Sequence, residues 1–327
     1  MMAKTFVEKL RVSADDSGSI ICFGMDPTEA VFSALERPHD ASGYPSVFVK
    51  FFDEILVKMA DMNVWPGAFK PNDAYWAKFD GHLHGENHGR RALGEVINII
   101  RRKRQGAPVI IDAKRADIGA TSECYAEEFA GWRQGDASFG WCVDAITINP
   151  YLGSDGVEPF FKRLGAYVLD RTSNPSACEL QNLVPSHRLV VGKDGARSLQ
   201  ELKVKEPLYL HEARQIVEWA KKFPGNVGAV VGATALDELE DISRVYVESG
   251  LDIPLLIPGV GKQGGSAKDV VDRLRKAGYD LSIVRINLSS GLSYAFEKEP
   301  GDSGKKDFAG ASVRALKRLN DEVGYRP

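Results

Sequence analysis

The sequence has little net charge, few cysteines and no long apolar run. Among its 327 residues, 45 Asp plus Glu nearly balance 42 Lys plus Arg, so the net charge is −3. This balance argues against a protein that binds nucleic acid or an anionic membrane through a basic surface. No apolar stretch approaches the roughly 18 residues that a membrane-spanning helix needs. We therefore expect neither nucleic acid nor a membrane as a partner.

The four cysteines are scattered along the chain and include no C-x-x-C pair. They are Cys22, Cys124, Cys142 and Cys178. This spacing indicates neither a disulfide framework nor a zinc ribbon. The opening residues, MMAKTFVEKL, have no apolar core of signal-peptide length. A reducing, cytoplasmic location is therefore expected.

Eight short apolar runs recur along the chain, and each ends in a polar or Gly/Pro cluster. Near-continuous apolar runs of this length are typical of strands that are buried on both faces. The runs lie at Ser19–Pro27, Trp65–Asn72, Pro108–Arg115, Ala145–Leu152, Ala166–Ser173, Val227–Thr234, Pro254–Gly261 and Leu281–Leu288. Length alone allows two domains of about 150 residues. Eight strand–helix units instead favour a (β/α)8 TIM barrel over a doubly wound sheet.

Segments with helical periodicity separate the apolar runs. Apolar stripes predict helices at Ser46–Met62, Arg91–Arg104, His211–Phe223, Ala267–Ala277 and Phe308–Val323. Residues 78–89, which are rich in Gly and His, and residues 185–207 interrupt this pattern. We interpret both stretches as surface insertions in a single domain that spans residues 1–327.

Charge is concentrated where the first three predicted strands end. In a (β/α)8 barrel these carboxyl ends carry the functional groups. Asp112 and Lys114 lie two positions apart on a strand, so both are expected to face the barrel mouth. Asp26 and Lys70 end the two preceding strands, and Asp117 follows in a loop. Opposite charges about 4 Å apart attract by roughly 4 kcal/mol, so the five charges are expected to alternate in sign.

Two interpretations of this charged cluster are open from the residues alone. Ion pairs that only cap a barrel rim are the ordinary explanation for any single Asp–Lys pair. Asp112 and Lys114, however, directly follow the apolar residues Val109–Ile111. Buried charge is costly unless it is paired, and it clusters at functional sites. The cluster is therefore a candidate active site.

A glycine-rich segment, PGVGKQGG at Pro258–Gly265, follows the seventh predicted strand. Glycines let backbone amides approach an anion, and barrels often bind phosphate after strands seven and eight. The segment is not a P-loop, because Lys262 is followed by Gln263 rather than by Ser or Thr. It predicts a phosphate site.

Two other patterns carry less weight. His82, His84 and His88 have a spacing that suits zinc, but no Cys, Asp or Glu cluster completes a ligand set. An exposed His-rich loop is the better interpretation, and no metal is expected. The basic run Arg101–Arg104 ends a predicted helix, where cations complement the helix dipole, so we do not interpret it as a nucleic-acid patch.

Taken in chain order, these elements resemble orotidine 5′-phosphate decarboxylase. The elements are GMDP, FKPN, IIDAKRADIGAT, TINPYLG, RTSNP, VVGAT and IPGVGKQGG. The resemblance covers essentially the whole chain, and its length and last elements are most similar to the longer bacterial and protozoan branch. It implies a dimeric (β/α)8 barrel that converts orotidine 5′-monophosphate to uridine 5′-monophosphate and CO2. This is the last step of de novo pyrimidine nucleotide synthesis, and no cofactor or metal is implied.

The resemblance also implies roles for the charged residues. Lys114 is the proton donor to C6 of the pyrimidine, and Asp112 faces the leaving carboxylate. Asp117 reaches into the site of the partner subunit. Asp26 and Lys70 belong to the ribose-binding and charge network. Asn72 lies near this network, and Ile118 and Thr121 lie beside Asp117.

Further substrate contacts are implied at the ends of later strands. Thr172 or Ser173, together with Gln263, touches the pyrimidine and holds the loop that closes over the phosphate. The other expected substrate-binding residues are Pro258, Ser289 and Ser290.

One position departs from the family pattern. Ser290 stands where the family has an arginine that grips the phosphate. A serine hydroxyl does not supply the bidentate, charge-assisted bonds of a guanidinium. Arg285, earlier in the strand, and Lys262, in the adjacent loop, are the two candidates to compensate.

Three alternative functions stay open on the sequence. A related sugar-phosphate decarboxylase or synthase shares the D-x-K-x-x-D element and uses Mg²⁺ to stabilise an enediolate. A weakened phosphonucleotide-binding barrel would explain Ser290. An aldolase with a Schiff base on Lys70 or Lys114 is the poorest option, because flanking carboxylates keep a lysine protonated.

Overall fold

Eight parallel strands form a barrel in the computed structural model. The model describes residues 4–35, 44–81, 87–134, 137–299 and 307–327. The strands are β1 (Ile21–Gly24), β2 (Ala68–Lys70), β3 (Ile110–Arg115), β4 (Ala145–Ile148), β5 (Gly165–Arg171), β6 (Val227–Val231), β7 (Leu255–Ile257) and β8 (Val284–Leu288). Hydrogen bonds connect them in the order β2-β1-β8-β7-β6-β5-β4-β3. Bridges Phe69↔Val109 and Asn72↔Asp112 join β2 to β3 and complete the ring.

Helices surround the strands and alternate with them along the chain. The α-helices of the described residues are Phe6–Ser17, Ala30–Ala34, Tyr44–Asp61, Asp73–Ala77, His88–Lys103, Gly119–Ala130, Ser154–Phe161, Cys178–Gln181, Leu208–Lys222, Leu236–Ser249, Ala267–Lys276, Ser290–Ser293 and Phe308–Val323. Short 3-10 turns lie at Pro150–Leu152, Pro175–Ala177, Leu281–Ile283 and Ala295–Lys298. No helix among the described residues is long and apolar enough to cross a membrane.

The strands are apolar on both faces because each face meets a separate core. Inside the barrel, Cys22, Ala68, Ile110 and other buried side chains pack against one another. Outside it, the alternate positions pack against the surrounding helices. The near-continuous apolar runs of the sequence follow from this double burial.

The amino-terminal helix, Phe6–Ser17, closes the bottom of the barrel. Its first turn carries a capping box, in which the Thr5 hydroxyl accepts the Glu8 N–H and the Glu8 carboxylate accepts the Thr5 N–H. Phe6 packs edge-to-face on Tyr167 of β5, with ring centroids 5.5 Å apart. Phe6 and the buried Leu10 of this helix therefore seal this end of the barrel.

Arg285 of β8 is part of this sealed end. It is fully buried and donates hydrogen bonds to the carbonyls of Gly67 (3.0 Å), Ser282 (3.0 Å), Val284 (2.7 Å) and Leu10. Four backbone carbonyls thus neutralise the cost of burying its guanidinium. Its role is structural.

The structure confirms the (β/α)8 prediction and each of the eight predicted strands, with shorter bounds. The predicted insertion at residues 185–207 contains an antiparallel hairpin, His187–Val191 with Arg197–Glu201, whose residues are exposed. A second hairpin, Trp132–Gln134 with Ala137–Phe139, was not predicted. The insertion at 78–89 lies partly outside the described residues, since these omit 82–86. The single-domain organisation stays a prediction.

Candidate active site

A cavity of about 930 Å³ opens at the carboxyl ends of the strands. Most residues that the sequence predicted for the site line it. They are Asp26, Lys70, Asn72, Asp112, Lys114, Thr172, Ser173, Pro258, Gln263, Ser289 and Ser290. Because the barrel brings eight strand ends to one rim, residues from Asp26 to Glu297 share this cavity.

Asp112 lies at the centre of the charged cluster. Its Oδ2 accepts a hydrogen bond from Lys70 Nζ at 2.9 Å, and its Oδ1 accepts one from Lys114 Nζ at 2.6 Å. The Lys70 side chain is only 4% exposed, whereas the Lys114 side chain is 51% exposed. Lys70 is therefore a buried support, and Lys114 presents its charge to the cavity.

The charges of the cluster keep one another ionised. Burial alone would lower the pKa of Lys70, but the charges of Asp112 and Asp26 outweigh burial and raise that pKa above its ordinary value. Burial would likewise raise the pKa of Asp112, yet Lys70 and Lys114 hold it well below its usual range. Asp112 and Lys70 are therefore both charged across the neutral pH range.

The backbone at Lys114 adopts an unusual conformation. Its φ is +48°, in the left-handed region that side chains other than glycine rarely occupy. The register with β4 also shifts between Ile111 and Arg115. The prediction that Asp112 and Lys114 face the mouth is confirmed, but a bulge achieves it rather than plain strand alternation. Such a conformation costs about 1–3 kcal/mol and persists only where its surroundings hold it.

Asp26 and Asn72 stabilise the rim beside this cluster. The backbone N–H of Asn72 donates to Asp26 Oδ1 at 3.2 Å. The Asn72 side chain caps the helix Asp73–Ala77, since its Oδ1 accepts the Ala74 N–H at 3.2 Å. Tyr294, after β8, donates its hydroxyl to the Asp26 carbonyl at 2.7 Å. The ends of β1, β2 and β8 are thus joined directly.

The end of β5 depends on a residue that the sequence did not reveal. The Gln181 Oε1 accepts the Thr172 N–H at 2.9 Å, and the Gln181 Nε2 donates to the Thr172 Oγ1 at 2.9 Å. Thr172 in turn donates to Asn174 Oδ1 at 2.7 Å. Gln181 belongs to a short helix beyond the strand, and no motif marks it.

The loop after β7 packs closely on the loop after β5. A Cβ at Gly259, whose φ is +99°, would lie 2.9 Å from the Cβ of Ser173 and 3.0 Å from Gln263 Oε1. Glycine is required at this position, because only it adopts this φ and leaves room for Ser173. Lys262 and Gln263, at the exposed tip of the loop, both line the cavity.

Three predicted site residues do not line the cavity of their own chain. Asp117, Ile118 and Thr121 lie past β3, at the start of the helix Gly119–Ala130. The Asp117 Oδ1 accepts the N–H of Ile118 at 2.8 Å. Ile118 is 55% exposed, which is high for a large apolar side chain. Within one chain, the predicted alternation of positive and negative charges therefore ends at Lys114.

Arg285 was the wrong candidate to replace the missing arginine of the family pattern. It lies at the sealed end of the barrel, where all its bonds go to backbone carbonyls. Lys262 lines the cavity and forms no ion pair within the described residues. Sequence reasoning missed Thr147 as a cavity residue, whereas Asn287, at the polar end of the eighth apolar run, lines the cavity as well. Thr147 lies within β4, where the sequence shows only one polar residue inside an apolar run.

Within the described residues, no group of three or more His, Cys, Asp or Glu side chains is arranged to hold a metal ion. His82 and His84, part of the possible zinc pattern, lie outside these residues. The basic run at Arg101 ends the helix His88–Lys103, as predicted, and Arg101 donates to the carbonyls of Trp141 and Cys142.

Comparison with known proteins identifies relatives over the whole chain. Residues 84–284 match the model of the orotidine 5′-phosphate decarboxylase / HUMPS family. The chain is 35% identical to orotidine 5′-phosphate decarboxylase of Variovorax paradoxus over 98% of both chains. The OMP decarboxylase structure of Leishmania donovani is 27% identical and has a TM-score of 0.64, with 97% of this chain and 99% of that chain covered. The UMP synthase structure of the same organism is 28% identical and has a TM-score of 0.65. That match covers 97% of this chain and 57% of the synthase chain.

Replacing Asp112 by Asn should destabilise the fold, because it leaves the buried Lys70 ammonium without its nearest carboxylate. Loss of one partner of a buried pair costs about 3 kcal/mol or more. Urea unfolding at pH 7 measures the loss. This loss of unfolding free energy should be smaller near pH 10. Without the Asp112 carboxylate, burial lowers the pKa of Lys70, so the folded variant releases the ammonium proton of Lys70 at a lower pH than the unfolded chain does.

Glu218→Gln is the matched control for this experiment. It breaks the Lys221–Glu218 pair, whose side chains are 55% and 59% exposed, and should cost less than about 1 kcal/mol. Equal, small losses in the two variants would contradict the buried character of the cluster.

Proposed function

The chain belongs to the orotidine 5′-phosphate decarboxylase / HUMPS family, and we propose that its Lys70–Asp112–Lys114 array performs the chemistry of the family's decarboxylases. The protein converts orotidine 5′-monophosphate to uridine 5′-monophosphate and CO2, in pyrimidine nucleotide synthesis. Full-length similarity to proteins of this one activity carries the assignment. A sugar-phosphate decarboxylase or synthase and a weakened binding barrel are not favoured, since the curated relatives share the decarboxylase name.

Lys114 is the proposed proton donor. Loss of CO2 breaks the bond between C6 and the carboxylate carbon and leaves its electron pair on C6. The pyrimidine ring does not delocalise this pair as an enolate would, so a fixed cation and a rapid proton must stabilise it. Lys114 has its ammonium at the open side of the cluster. It supplies both, and it regains a proton from water after turnover.

Asp112 and Lys70 hold Lys114 in this role. Asp112 binds Lys114 through one oxygen and Lys70 through the other, so the lysine that faces the substrate is fixed in position. We propose that Asp112 faces the leaving carboxylate, where two negative charges repel and loss of CO2 relieves the repulsion. Preorganised charge of this kind costs no reorganisation at the moment of reaction.

The rest of the cavity fits a nucleotide. Asp26 and Asn72, at the ends of β1 and β2, are proposed to contact the ribose. Thr172 or Ser173 and Gln263 are proposed to contact the pyrimidine and to hold the loop that closes over the phosphate. Pro258, Ser289 and Ser290 complete the proposed phosphate end. Binding energy from a remote phosphate then helps to exclude water from the reacting carbon.

We propose Lys262 as the cation that binds the phosphate. The lysines that line the cavity in the described part of the chain are Lys70, Lys114 and Lys262. The first two form ion pairs with Asp112, whereas Lys262 forms no ion pair among the described residues. It lies in the loop after β7, one of the two places where barrels of this type bind phosphate.

A homodimer is proposed because one chain leaves part of the expected site outside its own cavity. Asp117 has no contact with the cavity, and Ile118 beside it exposes apolar surface. Both observations suit a loop that inserts into the cavity of a second copy, with Thr121 next to it. The cofactor-free reaction and the cytoplasmic location stay predictions from the sequence.

The wild-type protein should turn over orotidine 5′-monophosphate in the presence of a chelator, followed by ultraviolet absorbance. Lys114→Ala should lose nearly all activity and keep its fold, because the side chain is half exposed and Lys70 still pairs with Asp112. Turnover only with Mg²⁺ would favour the sugar-phosphate branch. No turnover by folded wild-type protein would refute the assignment, and near-normal rates in Lys114→Ala would refute the proton donor.

Lys262→Ala should raise KM about tenfold or more with little change in kcat, because a bond to a charged group contributes about 1.5–3 kcal/mol. As a competitive inhibitor, uridine 5′-monophosphate should weaken correspondingly, whereas uridine should not. Ser290→Arg should tighten binding and should restore it in the Lys262→Ala background. Lys268→Ala, which removes an exposed cation paired with Asp272, is the control. An unchanged KM in Lys262→Ala would contradict the proposal.

Mixing two inactive variants tests the shared site. Asp117→Ala and Lys114→Ala subunits, unfolded together and refolded, should regain part of the wild-type activity. Mixed dimers contain one cavity with both native residues if Asp117 comes from the partner. Refolding each variant alone provides the control. Mixed dimers without activity would show that Asp117 does not serve a neighbouring cavity.

A further inference from the structure

We propose that Thr147 of β4 is a positioning residue for the decarboxylation, which holds Lys114 and Asp112 in their reactive arrangement. The inference rests on the proposed function, because the effect concerns the proton donor. Thr147 lines the cavity but is only 1% exposed. It lies behind the charged residues and forms hydrogen bonds with Asp112 and with the backbone of Lys114.

The bulge in β3 creates the need for such a residue. Ile111 pairs with Ile146 of β4, and Arg115 pairs with Ile148. Three residues of β3, Asp112–Lys114, therefore face the single residue Thr147. In a bulge the extra backbone groups lose their ladder partners. The N–H groups of Ala113 and Lys114 must then find another acceptor.

Thr147 supplies that acceptor with one oxygen. Its Oγ1 accepts the N–H of Ala113 at 3.1 Å and the N–H of Lys114 at 3.0 Å. A hydroxyl has two acceptor lone pairs and one hydrogen. Both lone pairs are thus used by the bulged backbone, and the remaining hydrogen must go to a different atom.

That hydrogen goes to the carboxylate at the centre of the site. Thr147 Oγ1 donates to Asp112 Oδ1 at 2.8 Å, and the same Oδ1 accepts Lys114 Nζ at 2.6 Å. Thr147 therefore binds the backbone of Lys114 directly and its ammonium through Asp112. With φ at +48°, Lys114 is in a conformation that its surroundings must impose. The Thr147 hydroxyl is the side-chain group that contacts this backbone.

A valine has nearly the same shape as threonine and lacks the hydroxyl, whereas a serine keeps the hydroxyl and lacks the methyl group. We expect Thr147→Val to lower kcat about 10- to 100-fold, while KM and the affinity for uridine 5′-monophosphate change less than about threefold. Misplacement of a reacting group by about 1 Å has an effect of this order. Thr147→Ser should stay within about threefold of wild-type kcat.

Ser13→Ala separates positioning from stability. Ser13 donates its buried hydroxyl to the Gly67 carbonyl at 2.9 Å, at the sealed end of the barrel. Its removal should lower the unfolding midpoint and leave kcat unchanged. If Thr147→Val does not fold, Thr147→Ala takes its place, because it also removes the hydroxyl and does not add the second methyl group of valine. The same changes in kcat and KM are expected for it.

The outcomes are distinct from those that test the function itself. An active wild-type protein with unchanged kcat in Thr147→Val, or with an equal loss of kcat in Thr147→Ser, would overturn the positioning role and leave the decarboxylase assignment intact. A change confined to KM would also overturn it. Only an inactive wild-type protein would argue against the assignment.

Discussion

Asp112 binds two ammonium groups, and the rest of the active site depends on this contact. A carboxylate withdrawn from water is unfavourable unless cations replace its hydration. Lys70 does this from below and is itself nearly buried, so neither group is stable without the other. Lys114, bound to the second oxygen, is then held at the surface of the cavity. Asp112 in this way connects the buried Lys70 to Lys114, the proposed proton donor.

The two ends of the barrel solve the problem of buried charge differently. At the sealed end, the buried Arg285 donates four hydrogen bonds to backbone carbonyls and does not line the cavity. At the open end, the cations are satisfied by one carboxylate. One of these cations, Lys114, presents its ammonium to a cavity of about 930 Å³. Stability is concentrated at one end and chemistry at the other, which is common in barrels of this type.

The strained backbone of Lys114 also helps to place this residue at the cavity. A bulged, left-handed residue costs free energy, and the neighbouring strand offsets part of that cost through Thr147. Lys114, the proposed proton donor, is placed by backbone geometry as well as by ion pairing. In the proposed dimer, Asp117 of the second copy would follow Lys114, so that positive and negative charges alternate across two chains rather than within one.

The sequence alone determined the fold and most of the site. Near-continuous apolar runs and period-3.6 stripes are local patterns, and they predicted all eight strands and five of the helices. Motifs at strand ends then predicted Asp112, Lys114 and Lys70, because a parallel barrel brings every strand end to one rim. Only the tertiary structure decided which of two cations, Arg285 or Lys262, faces the cavity. The apolar run Leu281–Leu288 did not show where β8 begins, and in the structure it begins at Val284, which places Arg285 at the end away from the rim. The sequence also did not predict the roles of Thr147 and Gln181. The role of Thr147 depends on a bulge in β3, and that of Gln181 depends on contacts between separate segments. Such contacts join atoms that are near in space and distant in the chain, and no local pattern of residues records them.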